Sequence, residues 1–220
     1  ILKLKSKNKI SKNVTNKKKT LAVRFPNHSL TRKLLKELDF PLAAPSANIS
    51  TKVSAVSKKD VEEEFGNKIK FILDGGSSKI GLESTIVNLD PKPAILRLGA
   101  IEVSKINKVL KSKVNYKSKN NKNIVPGQGK LHYSPGIKIR RNVKNPKKHE
   151  AFLLIKKRKI SDKNFFYLTK NNNLNEAGKN LYKTLRMIKK LKYNSISVEN
   201  IPNKGIGQTI NDRLMRASKK

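Results

Sequence analysis

A chain of 220 residues with 36% apolar content has room for one large domain or two small ones around a modest core. Lys and Arg number 51 against 15 Asp and Glu, a formal charge of +36, and a field of that sign attracts polyanions in a salt-dependent way. The lack of cysteine excludes disulfides, thiolate metal sites and a cysteine nucleophile, while no run reaches the ~20 apolar residues of a membrane span and no secretory leader is legible, so a soluble, cytoplasmic protein without membrane contact is expected.

In chain order, Ile1 stands where a Met would open a complete frame, which leads to the expectation of an upstream part. Lys5 to Lys19 is polar and Lys-rich, and Thr20 to Pro26 alternates like a half-buried strand ended by Pro. Ser29 is placed to cap a helix whose Leu30, Leu34, Leu35 and Leu38 share one face, and that face is expected in the core. Pro41 to Ala44 leads into a loop of small polar residues, Pro45 to Asn48. Ser57 and Asp60 have capping-box spacing for a second helix that Gly66 can close.

Ile69 to Leu73 is an apolar run stopped by Asp74, Gly75 and Gly76, and Ser84 to Leu89 pairs with Ala94 to Leu98 as a hairpin across Asp90 to Pro93. Ile101 to Leu110 reads as a short helix, followed by a charged Asn-rich linker from Lys111 to Asn123 and a distinctive VPGQGKLHYSPG segment from Val125 to Gly136. A second unit follows: strands Ala151 to Ile155 and Phe165 to Leu168, a helix with Ala177, Leu181, Leu185, Ile188 and Leu191 on one stripe, a strand Ser195 to Val198, and a final helix around Ile210 to Ala217. Such alternation predicts a small three-layer α/β domain on a parallel sheet.

Small hydroxylic and amide residues gather beside strand ends at Ala44 to Asn48, Gly81 to Thr85 and Leu96 to Gly99, where backbone N–H groups can approach a phosphate or carboxylate. Arg24 and Arg97 each lie in an otherwise apolar strand; each is either an edge residue paired structurally or a planar fork for an anion. The charge is equally open: Lys is scattered with Asn and Ile through every segment, as AT-rich codon usage would produce and as an RNA-binding surface would also use. His28, His132 and His149 are dispersed, so no metal site is expected, and Gly205-Ile206-Gly207 lacks the third glycine of a dinucleotide fingerprint.

The order TLAVRFPNHSL, PLAAPSANIS, FILDGGSSKIGLESTIVNLD and AILRLGAI, then HYSPG, NEAGKNLYKTLR and GIGQTINDRLMRA, resembles the long, two-domain form of the L-threonylcarbamoyladenylate synthase family, with its YrdC-like domain. The resemblance implies an α/β fold: the C-terminal part of a YrdC-like twisted mixed-sheet domain (1–110), a linker with an HYSPG lid (111–148) and a small Rossmann-like three-layer α/β domain (149–220). It also implies a nucleotidyltransferase reaction in which L-threonine, bicarbonate and ATP give threonylcarbamoyl-AMP and pyrophosphate for tRNA modification. Mg²⁺ would arrive with ATP, and the product would pass to threonylcarbamoyl-transferase machinery on tRNA.

By position, the resemblance assigns Arg24, Ala44 and Ser84 to threonine and Thr20, Ser46, Asn48, Ser54, Arg97 and Tyr133 to ATP, with no residue in a covalent catalytic role. Arg24, Ser46, Ser84 and Arg97 are thereby expected around one cavity. Nothing before Thr20 matches the family's opening segment with its Lys/Arg phosphate motif, so weak or absent synthase activity is expected of this chain alone; Ser50 to Val53 also lacks the family's Gly and Pro. Two rivals remain at this stage: a non-catalytic RNA-binding protein on the same domain, and a carbamoyl-adenylate-forming relative with another acceptor.

Overall fold

Apolar alternation places β1 (Leu2–Lys3), β2 (Thr20–Leu21), β3 (Ile86–Asn88), β4 (Ala94–Arg97), β5 (Lys138–Arg140), β6 (Ala151–Lys156), β7 (Phe165–Thr169) and β8 (Ser195–Val198), interleaved with α1 (Lys12–Thr15), α2 (Ser29–Lys36), α3 (Lys58–Phe65), α4 (Val103–Leu110), α5 (Leu174–Lys190) and α6 (Ile206–Ala217). The structure is a computed structural model that describes residues 1–5, 10–114, 116, 125–127, 129, 131–159 and 161–219. Most of the sequence-predicted linker, Lys111 to Asn123, lies outside the described residues, as do two positions of the following lid segment.

The strongest architecture is C-terminal. Strands β5, β8, β6 and β7 form one four-stranded sheet in that order, every described pairing parallel. Residues 138–140, expected within the linker, are thus its edge strand. Ala151, Leu153 and Ile155 share a core with Ile196, Val198, Phe166 and Leu168 and with Leu181 and Leu185 of α5 and Ile210 and Leu214 of α6. Both helices therefore pack on the same sheet face. The described residues form no crossover helix for the other side: β6 reaches β7 through residues 157–164 and β5 reaches β6 through 141–150, shorter than the usual helical crossover. Connecting residues cover it instead: the Arg158 guanidinium lies 5.2 Å from the Phe152 ring centroid, and Ser161 accepts from the Tyr167 hydroxyl. The C-terminal unit thus does not enclose its sheet between two helical layers as the expected three-layer domain would, and Val53 and Leu82 of the first half join the same core as α5 and α6.

Earlier elements are sparser. The hairpin forms as β3 against β4, antiparallel, and β4 is buried along its whole length. Ser57 caps α3 by accepting from Asp60 N, while Asp60 Oδ2 accepts from Val56 N, the shortened acid reaching one residue further back. The predicted strand Thr20 to Pro26 survives only at Thr20–Leu21, because its ladder partner β1 offers two residues. Ile69 to Leu73 forms no strand, and Phe71 is 90% exposed. An extended run cannot hold its backbone groups satisfied without a neighbour, and among the described residues none pairs with it. The α2 helix is capped by His28 Nδ1, not by Ser29, and none of Leu30, Leu34, Leu35 or Leu38 is buried, so its predicted core face remains half open.

Candidate functional site

The hairpin and the two C-terminal helices meet at the Gly81–Thr85 segment. Glu83 is the centre of that meeting: Oε1 accepts from Ser54 Oγ at 2.6 Å, and Oε2 accepts from Tyr182 Oη at 2.9 Å and Arg213 Nε at 2.8 Å. Burial opposes its ionisation, but the Arg213 charge and the hydrogen bonds from Ser54 and Arg213 outweigh it and hold the carboxyl below the usual range. One residue on, the Ser84 carbonyl accepts from Arg97 Nε at 3.2 Å and Nη2 at 2.7 Å, while Arg97 Nη1 donates to Pro126 O at 3.2 Å. Among the described residues these bonds leave one N–H on each terminal nitrogen of Arg97 uncommitted.

Tyr133 stands against this group. It is 1% exposed, adopts φ of 64° and stacks on Tyr182 with ring centroids 5.9 Å apart. Its hydroxyl is buried without a hydrogen-bond partner among the described residues. Close by is Gly127, where an added Cβ would lie 2.2 Å from the Tyr133 hydroxyl and 3.1 Å from Arg97 Cδ. Burial raises the pKa of Tyr133, and that of Tyr182 rises well above the ordinary value for the same reason. Burial lowers that of His132, which favours a neutral imidazole against the Tyr133 ring, 4.1 Å centroid to centroid.

The residues singled out by sequence fall into two sets. Ser54, Ser84, Arg97 and Tyr133 are brought together around Glu83. Asn48 adjoins them: its Nδ2 donates to the carbonyls of Ile49 and Lys52, and Lys52 bridges to Ser134 beside Tyr133, while Asn48 Oδ1 is buried without a partner among the described residues. Thr20 sits in the β1–β2 ladder, and Arg24, Ala44 and Ser46 are exposed on segments outside regular structure. Among the described residues one cavity of ≈ 560 Å³ is lined by Asn142, Val143, Lys144, Arg158, Glu199 and Asn200, and another of ≈ 30 Å³ lies beside Lys52, Glu64 and Arg186. Neither is lined by Arg24, Ser46, Ser84 or Arg97. Among the described residues no group of three His, Asp or Glu is placed to hold a metal ion, and no helix is long and apolar enough to cross a membrane.

Sequence reasoning missed Glu83, Tyr182, Asp212 and Arg213. A signal existed for the last: Arg213 lies on the Ile206, Ile210, Leu214, Ala217 stripe of α6, and a charge on a helix's apolar face needs buried partners.

Residues 1–99 match the family described as "Telomere recombination", of the Sua5, YciO and YrdC proteins, and residues 101–219 match the family described as "Threonylcarbamoyl-AMP synthase, C-terminal domain". The chain belongs to the threonylcarbamoyl-AMP synthase family. Among members of that family, the threonylcarbamoyl-AMP synthase of Pyrococcus abyssi is 32% identical over 90% of this chain and 64% of its own length. That of Bacillus subtilis is 30% identical over 95% of this chain and 66% of its own. The chain thus spans about two thirds of the length of these relatives. The crystal structure of P. abyssi Sua5 complexed with L-threonine superposes with a TM-score of 0.82 at 30% identity, covering 95% of this chain and 67% of that one. The two-domain arrangement of the synthase family is therefore present here.

Proposed function

We propose that the chain serves L-threonylcarbamoyladenylate synthesis. Threonine's amine and bicarbonate give a carbamate and water; a carbamate oxygen then bonds to the α-phosphorus of ATP as the bond to the β-phosphate bridge breaks and pyrophosphate leaves. The observation that carries the reading is agreement of both halves, in one chain and one order, with a relative whose crystal structure holds L-threonine. The chemistry asks mainly for positioning and for stabilisation of moving negative charge, which suits a buried cluster of Arg97, Tyr133 and Glu83.

In this reading Arg24, Ala44 and Ser84 hold threonine and Thr20, Ser46, Asn48, Arg97 and Tyr133 hold ATP, with Mg²⁺ entering as the counter-ion of its phosphates. Ser54, whose hydroxyl is committed to Glu83, serves the nucleotide side through that carboxylate. Residues 1–110 form the catalytic part, and the expected linker from 111 carries the lid and ends where β5 enters the C-terminal sheet at Lys138. That sheet with its helices through 149–220 is the accessory domain of a cytoplasmic nucleotidyltransferase, whose product is consumed in modifying adenosine beside the anticodon of tRNA. The +36 charge favours direct tRNA contact.

Calorimetric titration tests this. L-threonine and ATP each bind and raise thermal stability, a ligand at 100 times its Kd adding about 2.7 kcal/mol by mass action, while pyrophosphate release by this chain alone is expected to be weak or absent, and any release requires threonine and bicarbonate together. Salt-sensitive tRNA binding with neither small ligand bound would overturn the reading in favour of an RNA-binding role, and ATP binding indifferent to threonine would favour another acceptor.

A further inference from the structure

We propose that Arg213, from the last helix, is a positioning residue for the nucleotide side of the site: it fixes the Tyr133 ring and the Glu83–Ser84 segment relative to one another, making the C-terminal sheet-and-helix unit a working part of the site. For the identity of the ligand this rests on the reading above; the pin itself stands on geometry alone.

Arg213 is 1% exposed. Its three nitrogens are committed in three directions: Nε to Glu83 Oε2 at 2.8 Å, Nη1 to Asp212 Oδ2 at 2.7 Å and Nη2 to the Leu98 carbonyl at 2.6 Å. One guanidinium thus binds the Gly81–Thr85 segment, the end of β4 and its own helix. The guanidinium carbon lies 4.7 Å from the Tyr133 ring centroid, a cation–π distance, and Tyr182 stacks on Tyr133 while donating to the same carboxylate oxygen of Glu83 that Arg213 uses. Asp212 is held in turn by the Tyr116 hydroxyl at 3.1 Å and by Arg216.

Two features call for such a pin. Tyr133 has positive φ, a conformation a bulky residue keeps only where its surroundings over-determine it, and Arg213 and Tyr182 supply that constraint. Its hydroxyl has no partner among the described residues although buried, which is costly unless a ligand supplies one. A buried ion pair in itself adds little stability over an apolar replacement. Here it instead sets the distance between Tyr133 and Arg97, through Glu83 and the adjoining Ser84 carbonyl.

The test compares the chain with Arg213→Lys and Arg213→Met, which keep the stem, and with Tyr133→Phe. Hydrogen exchange is read without ligand, and ATP and L-threonine affinities are read separately. Arg213→Lys and Arg213→Met are expected to speed exchange at 131–136 by about tenfold or more while α5 and β6 keep native protection, and to weaken ATP about tenfold, with a smaller loss for threonine, which Ser84 shares with residues the pin does not touch. Tyr133→Phe should weaken ATP without speeding exchange in α6. Unchanged exchange at 131–136, or exchange raised equally throughout α5, α6 and the lid, overturns the pin. Should both Arg213 variants fail to fold, Glu83→Gln removes the same ion pair from the other side and carries the same expectations. If the unsubstituted chain binds no ATP, the functional reading fails, and the exchange contrast still decides the role of Arg213.

Discussion

Gly99 sits where two backbones nearly touch. An added Cβ would lie 2.3 Å from Ser84 C and Thr85 N and 2.4 Å from Glu83 O, all main-chain atoms that no rotamer change can move aside. The approach lets Ala100 N donate to Glu83 O at 2.8 Å, and it presents the Gly99 carbonyl to Thr209 Oγ1 at 3.0 Å. Gly99→Ala must therefore part the end of β4 from the segment that carries Glu83 and Ser84. Overpacking of this kind typically costs about 1–3 kcal/mol, and the urea midpoint should fall with an unchanged slope. Gly66→Ala is the control: its Cβ would meet nothing within 4 Å and only its φ of 53° is strained, so a smaller loss, about 1 kcal/mol, is expected. Equal losses at the two positions would contradict the close approach.

At the scale of elements, the C-terminal sheet is tied across three strands by one carboxylate. Glu150, at the entrance to β6, accepts from Arg140 Nε at 2.9 Å, from Lys147 N at 2.8 Å and from Ser195 Oγ at 3.0 Å, and also from Arg140 Nη2 and Ser197 Oγ, joining β5, β6 and β8. The hydrogen bonds from Arg140, ahead of those from Ser197 and Lys147 and against the opposing effect of burial, hold this carboxyl far below the usual range. Since the folded pKa is depressed, the stabilisation is fully present above the unfolded value near ~4.3 and is lost as pH falls from there toward the folded value. Glu150→Gln should cost about 2–3 kcal/mol at neutral pH. The gap in melting temperature between the two proteins should narrow progressively as pH falls below about 5; a gap independent of pH would mean that the charge is not what holds the strands.

Strands β6, β7 and β8 of this sheet and helix α5 were legible because each carries its own evidence, as where Ala151, Leu153 and Ile155 alternate toward α5 and Asn173 caps α5 ahead of a continuous apolar stripe. The three residues of β5 carry no such pattern. Ile69 to Leu73 is as apolar as β6, yet an apolar run does not reveal whether a neighbour exists to pair with it. The site was partly legible for a related reason. Ser84 and Arg97 were found in a hairpin whose two strands are near in sequence, whereas Arg213 reaches Glu83 across 130 residues and no local pattern encodes that meeting.

Across the whole molecule the core is unevenly shared. The larger apolar cluster draws almost all its buried members from Tyr133 onward, with only Val53 and Leu82 from the first half, while the smaller one has Ile95, Leu98 and Val114 as its fully buried members. The first half meanwhile exposes Val23, Phe25, Phe40, Phe71 and Leu73. It is held to α5 and α6 chiefly by polar links: Arg186 to Glu64 at 3.2 Å and to the Val53 carbonyl at 2.6 Å, Lys190 to Glu63 at 2.6 Å, and Arg213 to Glu83. Order in the first half should thus depend on the second more than the reverse. Residues 131–219 expressed alone should unfold in one cooperative transition, because the sheet, both helices and their shared core are intact. The transition should lie below that of the whole chain, since Arg213 keeps Asp212 but loses Glu83 and a buried charge stripped of a partner costs several kcal/mol. Residues 1–110 alone should show little exchange protection, with four short strands and four short helices closing over too few apolar side chains to offset the entropy of ordering them. Calorimetry and hydrogen exchange on the two pieces check this. A cooperative melt from residues 1–110 would show that the first half carries a sufficient core of its own and that the C-terminal helices merely dock on it.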